Sequence, residues 1–180
     1  SQSNRCSDIL KRLSLNPNIA DGFIDSNLSL YNYVSEIVRS YQEISKKEFL
    51  INSEKYLNPM NTHQSPEIIY GLRNFIGNAN KFSKKKIEIF LSSNKKMTEI
   101  IIRDDGPGFP KDLIDKQKLG EPYIRTANQA NISKYGLGLG TFIGKTLLEK
   151  NFAIINFKNS NTTGGAEVNI SWKNKDLISL

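Results

Sequence analysis

The chain has 180 residues, 38% of them hydrophobic and 24% charged, which suits one folded domain and excludes a disordered chain. No apolar run reaches the roughly 18 residues of a membrane span, and a single cysteine and a single histidine exclude an internal disulfide and a structural zinc site. The net charge of +7 arises entirely in residues 67–180, so this part is expected to meet an anion such as nucleic acid or nucleotide phosphate.

Two helical segments and a strand are predicted in the first part of the chain. Residues 4–14 have helical periodicity that Pro17 and Gly22 interrupt, which predicts a helix followed by a linker. A second helix is predicted over about residues 29–45, and the strand-like EFLIN follows at 48–52.

The rest of the chain predicts the other elements of a sandwich. A helix over about residues 66–82 begins with Ser65 as N-cap and Pro66 at its first position. KIEIFLSS and MTEIIIRDD alternate like a β-hairpin, and FAIINFKNS and AEVNISW form a second strand pair after the helix TFIGKTLLEKN. The polar segment 105–135 is long enough for a lid or a functional loop. The order predicts an α/β sandwich, a mixed sheet with helices packed on one face.

The helix over 66–82 carries polar side chains beside its apolar stripe. Asn74, Asn78 and Lys81 share a second stripe, because positions three and four apart lie on one face of a helix. Amide oxygens are hard ligands for Mg²⁺ and the lysine supplies positive charge, so this stripe can hold a metal-bound phosphate chain. The alternative is a solvated helix face without a role, and Asn80 is expected to lie on the surface.

The sequence DDGPGF follows an apolar strand directly. A carboxylate at Asp104, fixed by the strand, can accept a hydrogen bond from an exocyclic amine such as that of adenine, and Gly106 and Gly108 let backbone approach a ligand. The alternative is an ordinary turn, since Asp, Gly and Pro are all turn residues.

The sequence KYGLGLG runs directly into an apolar helix. Gly136, Gly138 and Gly140 allow phosphate to approach the free amides of the helix N-terminus. A P-loop would require glycine where the chain has Leu139, and a dinucleotide fingerprint would require glycine at Thr141, so both are excluded.

In this order, the three elements resemble the ATP-binding fold shared by DNA gyrase B, Hsp90, MutL and histidine kinases. NFIGNANKF is similar to the histidine-kinase N box, DDGPG to the G1 box, YGLGLG to the G2 box, and GGAEV to a degenerate last glycine box. The resemblance covers about residues 29–172. LGEPYIRT, GLGLGTFIGKTLLEK and RCSDIL narrow it to sensor histidine kinases of the RegB/PrrB type.

The resemblance implies a role for each matching residue. Asn78 would bind Mg²⁺ with the phosphates, Asn74 and Lys81 would support the phosphates, and all three would be catalytic. Phe82 would pack near the base, which Asp104 would recognise. Gly106 and Gly108 would shape the base pocket, and the phosphates would be wrapped by Gly136, Gly138, Leu139, Gly140 and Thr141. We add Arg125 and Lys134 as mobile phosphate contacts.

The resemblance also implies a domain organisation. Residues 1–15 would end a dimerisation helix, 16–28 would be a linker, and 29–176 the catalytic domain with a lid over about 110–135. The chain is expected to bind ATP and Mg²⁺ without phosphorylating itself, because His63 is expected to be a surface histidine. Phosphate would pass to a histidine of the protein's own dimerisation domain, then to a response-regulator aspartate.

Full-length kinases of this type are membrane-anchored homodimers. The resemblance therefore implies that this chain is a cytoplasmic portion of such a sensor. We expect it to contact neither membrane nor nucleic acid itself.

The chain departs from the family pattern at two positions of the N box. Hydrolytic relatives have a glutamate base where this chain has Asn74, which favours phosphoryl transfer over hydrolysis. Many histidine kinases have an acidic residue at Gly77, whose absence affects metal tuning or catalytic support.

Three further possibilities are open at this stage. Cys6 matches a redox-sensitive cysteine of RegB-type kinases, or it is a helix cysteine without a role. The same fold is used by stand-alone serine kinases of the anti-sigma type. The run Lys84-Lys85-Lys86 prompts a nucleic-acid-binding module, although a solvated helix end explains it more simply.

Overall fold

The computed structural model describes residues 29–54, 65–115, 117–121 and 139–178. Within these ranges the chain forms five helices and five strands. In chain order they are α1 (Leu30–Gln42), β1 (Glu48–Ser53), α2 (Pro66–Phe82), β2 (Lys86–Ser93), β3 (Met97–Asp104), α3 (Lys111–Asp115), α4 (Leu139–Lys150), β4 (Ile154–Asn159), β5 (Ala166–Lys173) and α5 (Asn174–Ile178). No helix in these ranges is long and apolar enough to cross a membrane.

The five strands form one mixed sheet in the order β1-β2-β3-β5-β4. β1 runs parallel to β2, and α2 provides the crossover that a parallel connection needs. The pairs β2–β3, β3–β5 and β4–β5 are antiparallel. β3 is therefore the central strand. Asp104, its last residue, lies at the middle of the side of the sheet where β3 ends.

One face of the sheet packs against the helices. Alternate residues of the three inner strands point to this face, including Ile89, Ile102 and Ile170, each at most 2% exposed. They meet the apolar stripe of α2, in which Leu72 and Ile76 are fully buried. Each such side chain contributes roughly 1.5–3 kcal/mol by burial, so the core firmly fixes α2 over the sheet. The predicted α/β sandwich is confirmed.

The predicted elements agree closely with the structure. α2 has the predicted bounds, and the two predicted strand pairs are β2–β3 and β4–β5. Ser65 is the N-cap residue of α2, as predicted. Its side chain bonds no helix N–H, and its hydroxyl lies 3.0 Å from Asn151 Oδ1 and 3.1 Å from Glu67 Oε2.

Two boundaries differ from the prediction. α1 ends at Gln42 rather than near residue 45, because the chain turns there and the Ser45 hydroxyl bonds to α2 instead. The segment 105–135 was predicted as a loop, but its first part contains the one-turn helix α3. The predicted N-terminal helix over 4–14 lies outside the described residues.

The helices α2 and α4 cross at two glycines. A Cβ at Gly71 would lie 2.5 Å from Leu148 Cγ, and a Cβ at Gly144 would lie 3.3 Å from the carbonyl oxygen of Gly71. Only hydrogen at both positions lets the helix backbones approach this closely. The crossing fixes the first turn of α4 opposite the polar stripe of α2.

Phe152 ends α4 in a conformation that usually requires glycine. Its φ is +65°, and its side chain is 58% exposed. Phe152 N–H donates to the Glu149 carbonyl and Ala153 N–H to the Leu148 carbonyl, both at 3.0 Å, which is the Schellman pattern. The helix end is therefore well hydrogen-bonded but strained at one bulky residue.

Candidate functional site

The asparagine stripe of α2 faces the first turn of α4. Asn78 Nδ2 donates to Thr141 Oγ1 at 3.3 Å, and a Cβ at Gly140 would lie 3.3 Å from Asn78 Oδ1 and 3.8 Å from Asn74 Oδ1. Asn74 Nδ2 donates to the Tyr70 carbonyl at 2.8 Å, which fixes that amide along its own helix. The structure thus brings four of the predicted phosphate residues together.

The amide oxygens on this stripe remain available as ligands. In the ranges that the structure describes, both asparagines use Nδ2 as a donor and neither Oδ1 accepts a hydrogen bond. The same ranges contain no cluster of three or more His, Cys, Asp or Glu residues that could hold a metal. A cation here would therefore depend on amide oxygens and on the oxygens of its ligand.

Asp104 ends the central strand as a buried carboxylate. It is 4% exposed, and its Oδ1 accepts hydrogen bonds from Gly106 N–H at 2.8 Å and Ala166 N–H at 3.2 Å. Burial raises the pKa of Asp104, and these two N–H donors counteract that rise only in part. Among the described residues both donors use Oδ1 and none bonds Oδ2, so Oδ2 is the oxygen that these residues leave to a ligand.

The turn between β4 and β5 contacts the backbone of Asp104. Thr163 Oγ1 donates to the Asp104 carbonyl at 2.7 Å and accepts from Gly165 N–H at 3.2 Å. A Cβ at Gly165 would lie only 2.1 Å from that same carbonyl oxygen. The turn therefore contacts β3 backbone to backbone, and Ala166, which follows the turn, donates its N–H to the Asp104 carboxylate.

The C-terminal end of α2 lies against the residues that follow Asp104. A Cβ at Gly106 would lie 2.4 Å from the carbonyl oxygen of Phe82. Phe82 is half-buried there, and the exposed Lys81 places its Nζ 5.2 Å from the Phe82 ring centroid. The C-terminal end of α2, which also carries the amide stripe, thus lies close to Asp104.

Gly108 lies in the segment that connects Asp104 to α3. Its φ is +78°, and a Cβ there would meet Asn159 Oδ1 at 2.7 Å. The Asn159 side chain bonds both backbone groups of Phe109, the residue after Gly108. Its Oδ1 accepts from Phe109 N–H at 2.6 Å, and its Nδ2 donates to the Phe109 carbonyl at 2.9 Å. Phe109 packs edge-on against Phe157, so this end of the segment is anchored to β4.

The remaining predicted site residues lie either at the start of α4 or outside the described residues. Leu139 is the first residue of α4 and is half-buried. Outside the described residues lie Cys6, His63, Arg125, Lys134, Gly136 and Gly138.

Two expectations about the end of α2 need correction. Asn80 is not a free surface residue, because its Oδ1 accepts a hydrogen bond from Ser45 Oγ at 2.8 Å. The run Lys84-Lys85-Lys86 is not a helix end: α2 ends at Phe82, and Lys86 begins β2.

That lysine run is also held by acidic partners. Lys84 and Lys85 donate their backbone N–H groups to Asp105, and the Lys86 ammonium lies 2.8 Å from Glu88. The basic run is thus a structured connection.

Gly77 faces α1, where a Cβ would lie 2.5 Å from the Tyr41 hydroxyl.

Sequence reasoning missed the residues that hold the site from a distance. Thr163, Gly165 and Asn159 were not predicted as site residues. Only the similarity of GGAEV to a glycine box drew attention to that turn. Asn159 lies 50 positions from the residue it clamps, and no local pattern indicates such a contact.

The comparison with protein families decides between the open classes. Residues 64–176 match the model described as histidine kinase-, DNA gyrase B-, and HSP90-like ATPase. The chain belongs to this ATPase family. The match spans α2 to α5 and includes both the amide stripe and Asp104. Membership supports ATP as the nucleotide and does not favour a nucleic-acid-binding module.

Sensor histidine kinases are among the proteins to which the chain is similar. The chain is 39% identical over 100 residues to the sensor histidine kinase RegB of Cereibacter sphaeroides, an alignment covering 53% of this chain and 21% of that protein. It is 32% identical over 79 residues to the sensor histidine kinase CpxA of Escherichia coli, covering 44% and 17%. The alignments thus span about a fifth of these relatives. They do not favour a stand-alone serine kinase.

Solved structures show the same fold. The catalytic domain of histidine kinase ThkA, in a nucleotide-free form, superposes with a TM-score of 0.67 at 18% identity, covering 83% of this chain and 97% of that one. The mycobacterial sensor histidine kinase MprB superposes with a TM-score of 0.63 at 19% identity, covering 81% and 95%.

Proposed function

We propose that this chain is the ATP-binding catalytic domain of a RegB-type sensor histidine kinase. It binds Mg-ATP, and the γ-phosphoryl group leaves ADP and forms a P–N bond with a histidine of the protein's own dimerisation domain. A response-regulator aspartate then receives the phosphoryl group. The observations that carry the proposal are the buried Asp104, whose carboxylate is oriented by two backbone N–H groups, and the amide stripe of α2 that faces the first turn of α4.

Asp104 recognises adenine. Its Oδ2 accepts a hydrogen bond from the exocyclic amine, while Oδ1 remains held by Gly106 and Ala166. Phe82 packs near the base, and Gly106 and Gly108 shape the base pocket by allowing close contact with the Phe82 carbonyl and with Asn159. Ionised Asp104 is the better acceptor, so binding should weaken as the pH falls through its raised pKa.

The amide stripe holds the phosphates. The Asn78 amide oxygen is a hard donor that suits Mg²⁺, which would also take ligands from the phosphates and from water. Bound Mg²⁺ would supply charge neutralisation for the transferring group. Asn74 and Lys81 orient and neutralise the phosphates, and the backbone at Leu139, Gly140 and Thr141 contacts them at the start of α4. Arg125, Lys134, Gly136 and Gly138 belong to the same proposal.

The residues around the phosphates favour transfer over hydrolysis. Asn74 is an amide where a water-activating base would need a carboxylate, and an amide cannot take a proton from water at neutral pH. Catalysis therefore rests on positioning the phosphates and on neutralising their charge. The acceptor histidine comes from the dimerisation domain, and the location is the cytoplasmic portion of a membrane-anchored homodimer.

Calorimetric titration with a non-hydrolysable ATP analogue, with and without Mg²⁺, tests the proposal. Asp104→Asn should abolish measurable binding and leave the fold intact, because an amide oxygen can still accept from Gly106 and Ala166. Asp105→Asn is the matched control: its carboxylate bonds the N–H groups of Lys84 and Lys85, so binding should survive. Unchanged affinity in Asp104→Asn would overturn the assignment of the base pocket.

A second measurement tests the transfer step. With γ-labelled ATP, this chain alone should incorporate no label, whereas the chain joined to its dimerisation domain should form an acid-labile, base-stable phosphohistidine. Rapid release of inorganic phosphate by this chain, with no transfer in the joined protein, would contradict a kinase role.

A further inference from the structure

Lys47, in the connection between α1 and β1, closes the C-terminal end of α2. Its ammonium donates to the carbonyl of Asn80 and, at 2.7 Å, to the carbonyl of Ser83. The same connection also holds the Asn80 side chain, through the Ser45 hydroxyl at 2.8 Å. Lys47 N–H donates to that hydroxyl at 3.2 Å, so the two residues act as one polar clasp.

The opposite side of this last turn touches the proposed base pocket. The Phe82 carbonyl lies where a side chain at Gly106 would have to go. The Asp105 carboxylate accepts the N–H groups of Lys84 and Lys85 just beyond the helix. The end of α2 is therefore held between Lys47 and the segment that starts at Asp104.

The positive charge of Lys47 acts on the negative groups at the end of α2. The last carbonyls of a helix carry partial negative charge, and here they lie beside a buried carboxylate. Burial raises the pKa of Asp104. The N–H groups of Gly106 and Ala166 lower it, Asp105 raises it, and Lys47 lowers it. Lys47 is the cation that opposes both the helix end and Asp105.

We propose that Lys47 is a positioning residue for nucleotide recognition, which fixes the end of α2 against the segment that starts at Asp104 and presents a positive charge to that carboxylate. The inference rests on the proposed function. It adds a residue outside the ATP-binding motifs, in the connection that follows α1. Lys47 does not touch the nucleotide and acts through α2 and Asp104.

The test compares Lys47→Met with Lys47→Arg and with the neighbouring control Lys46→Met, whose side chain is exposed. Affinity for the ATP analogue is measured from pH 6 to pH 8, and stability is measured by urea unfolding followed through Trp172. Lys47→Met should weaken binding by about tenfold at pH 6, the scale of one lost charge-assisted hydrogen bond. The loss should be smaller at pH 8, where Asp104 stays ionised.

The variants separate positioning from simple loss of stability. Using one ligand throughout makes its own titration cancel from the ratio of affinities. Lys47→Arg keeps the charge and should follow the wild-type pH profile, and Lys46→Met should match the wild type. If Lys47→Met unfolds, Ser45→Ala removes only the clasp's hydroxyl and should give a smaller loss in the same direction.

The outcomes are distinct from those of the proposed function. Wild-type binding that Asp104→Asn abolishes, together with a Lys47→Met pH profile parallel to the wild type, would overturn this inference and leave the function standing. Absence of binding by the folded wild-type chain would overturn both.

Discussion

Gly165 offers a sharp test of how the β4–β5 turn sets the direction of Asp104. In Gly165→Ala the new Cβ would lie 2.1 Å from the Asp104 carbonyl oxygen and 2.7 Å from Oδ1. The first distance is about 1.2 Å and the second about 0.6 Å shorter than a close C···O contact of about 3.3 Å, and the nearer obstacle is backbone that cannot rotate away. Overpacking costs about 1–3 kcal/mol, and the weakened Ala166 hydrogen bond adds about 1 kcal/mol. We expect a loss of about 2–4 kcal/mol in the free energy of unfolding.

The neighbouring glycine is a matched control. Gly164 has φ +71°, and a Cβ there would meet no atom within 4 Å. Gly164→Ala should therefore cost only the strain of a left-handed conformation, about 1 kcal/mol, and should leave Asp104 in place. Affinity for the ATP analogue should fall about 10- to 100-fold in Gly165→Ala and remain unchanged in Gly164→Ala.

Both quantities are measurable on the intact chain. Trp172 is the only tryptophan and is fully buried, so its fluorescence reports unfolding in urea. Calorimetry gives the affinities. Wild-type affinity in Gly165→Ala would refute the argument that the turn orients the carboxylate. Equal losses of affinity in the two variants would point instead to the flexibility of the turn.

Two other substitutions test the charge and the strain in the fold. Phe152→Gly should raise the free energy of unfolding by about 0.5–1 kcal/mol in urea titrations, because it relieves a left-handed φ at an exposed side chain; a destabilised variant would mean that packing of the ring outweighs the strain. Glu167→Gln should destabilise by about 2 kcal/mol at pH 7, since Glu167 is 3% exposed and bonds Arg103 at 2.8 Å and Lys158 at 3.0 Å. Burial alone raises the pKa of Glu167, but the Lys158 and Arg103 hydrogen bonds outweigh it and the pKa is lowered. The stabilisation should therefore be lost as the pH falls through that lowered pKa, and a difference from wild type that persists in acid would contradict the electrostatic account.

Local patterns predicted the elements because each has its own period and punctuation. The alternation in KIEIFLSS fixes which side of β2 is buried, and Ile87, Ile89 and Leu91 are the buried residues. Pro66 starts α2 at its first position, and the chain leaves the helix after Phe82. These are short-range properties, so the sequence shows them directly.

The supporting contacts of the site could not be predicted in the same way. Asp104 was identified from the strand and glycines around it, but its contacts with Ala166 and Thr163 span 62 and 59 positions. Asn80 looked like a surface residue because nothing near it in sequence indicates Ser45, 35 positions away. Such pairs depend on how strands and helices meet, which a single sequence does not encode in any local pattern.

The glycine crossing of α2 and α4 fixes the amide stripe relative to the first turn of α4. Gly71 and Gly144 bring the helices into backbone contact, and Leu148 fills the space beside Gly71. The gap between Asn78 and Thr141 is therefore set by the hydrophobic core, before any ligand arrives. The proposed binding of phosphates there would require little ordering of these helices, so little affinity would be lost to conformational entropy at this end of the proposed site.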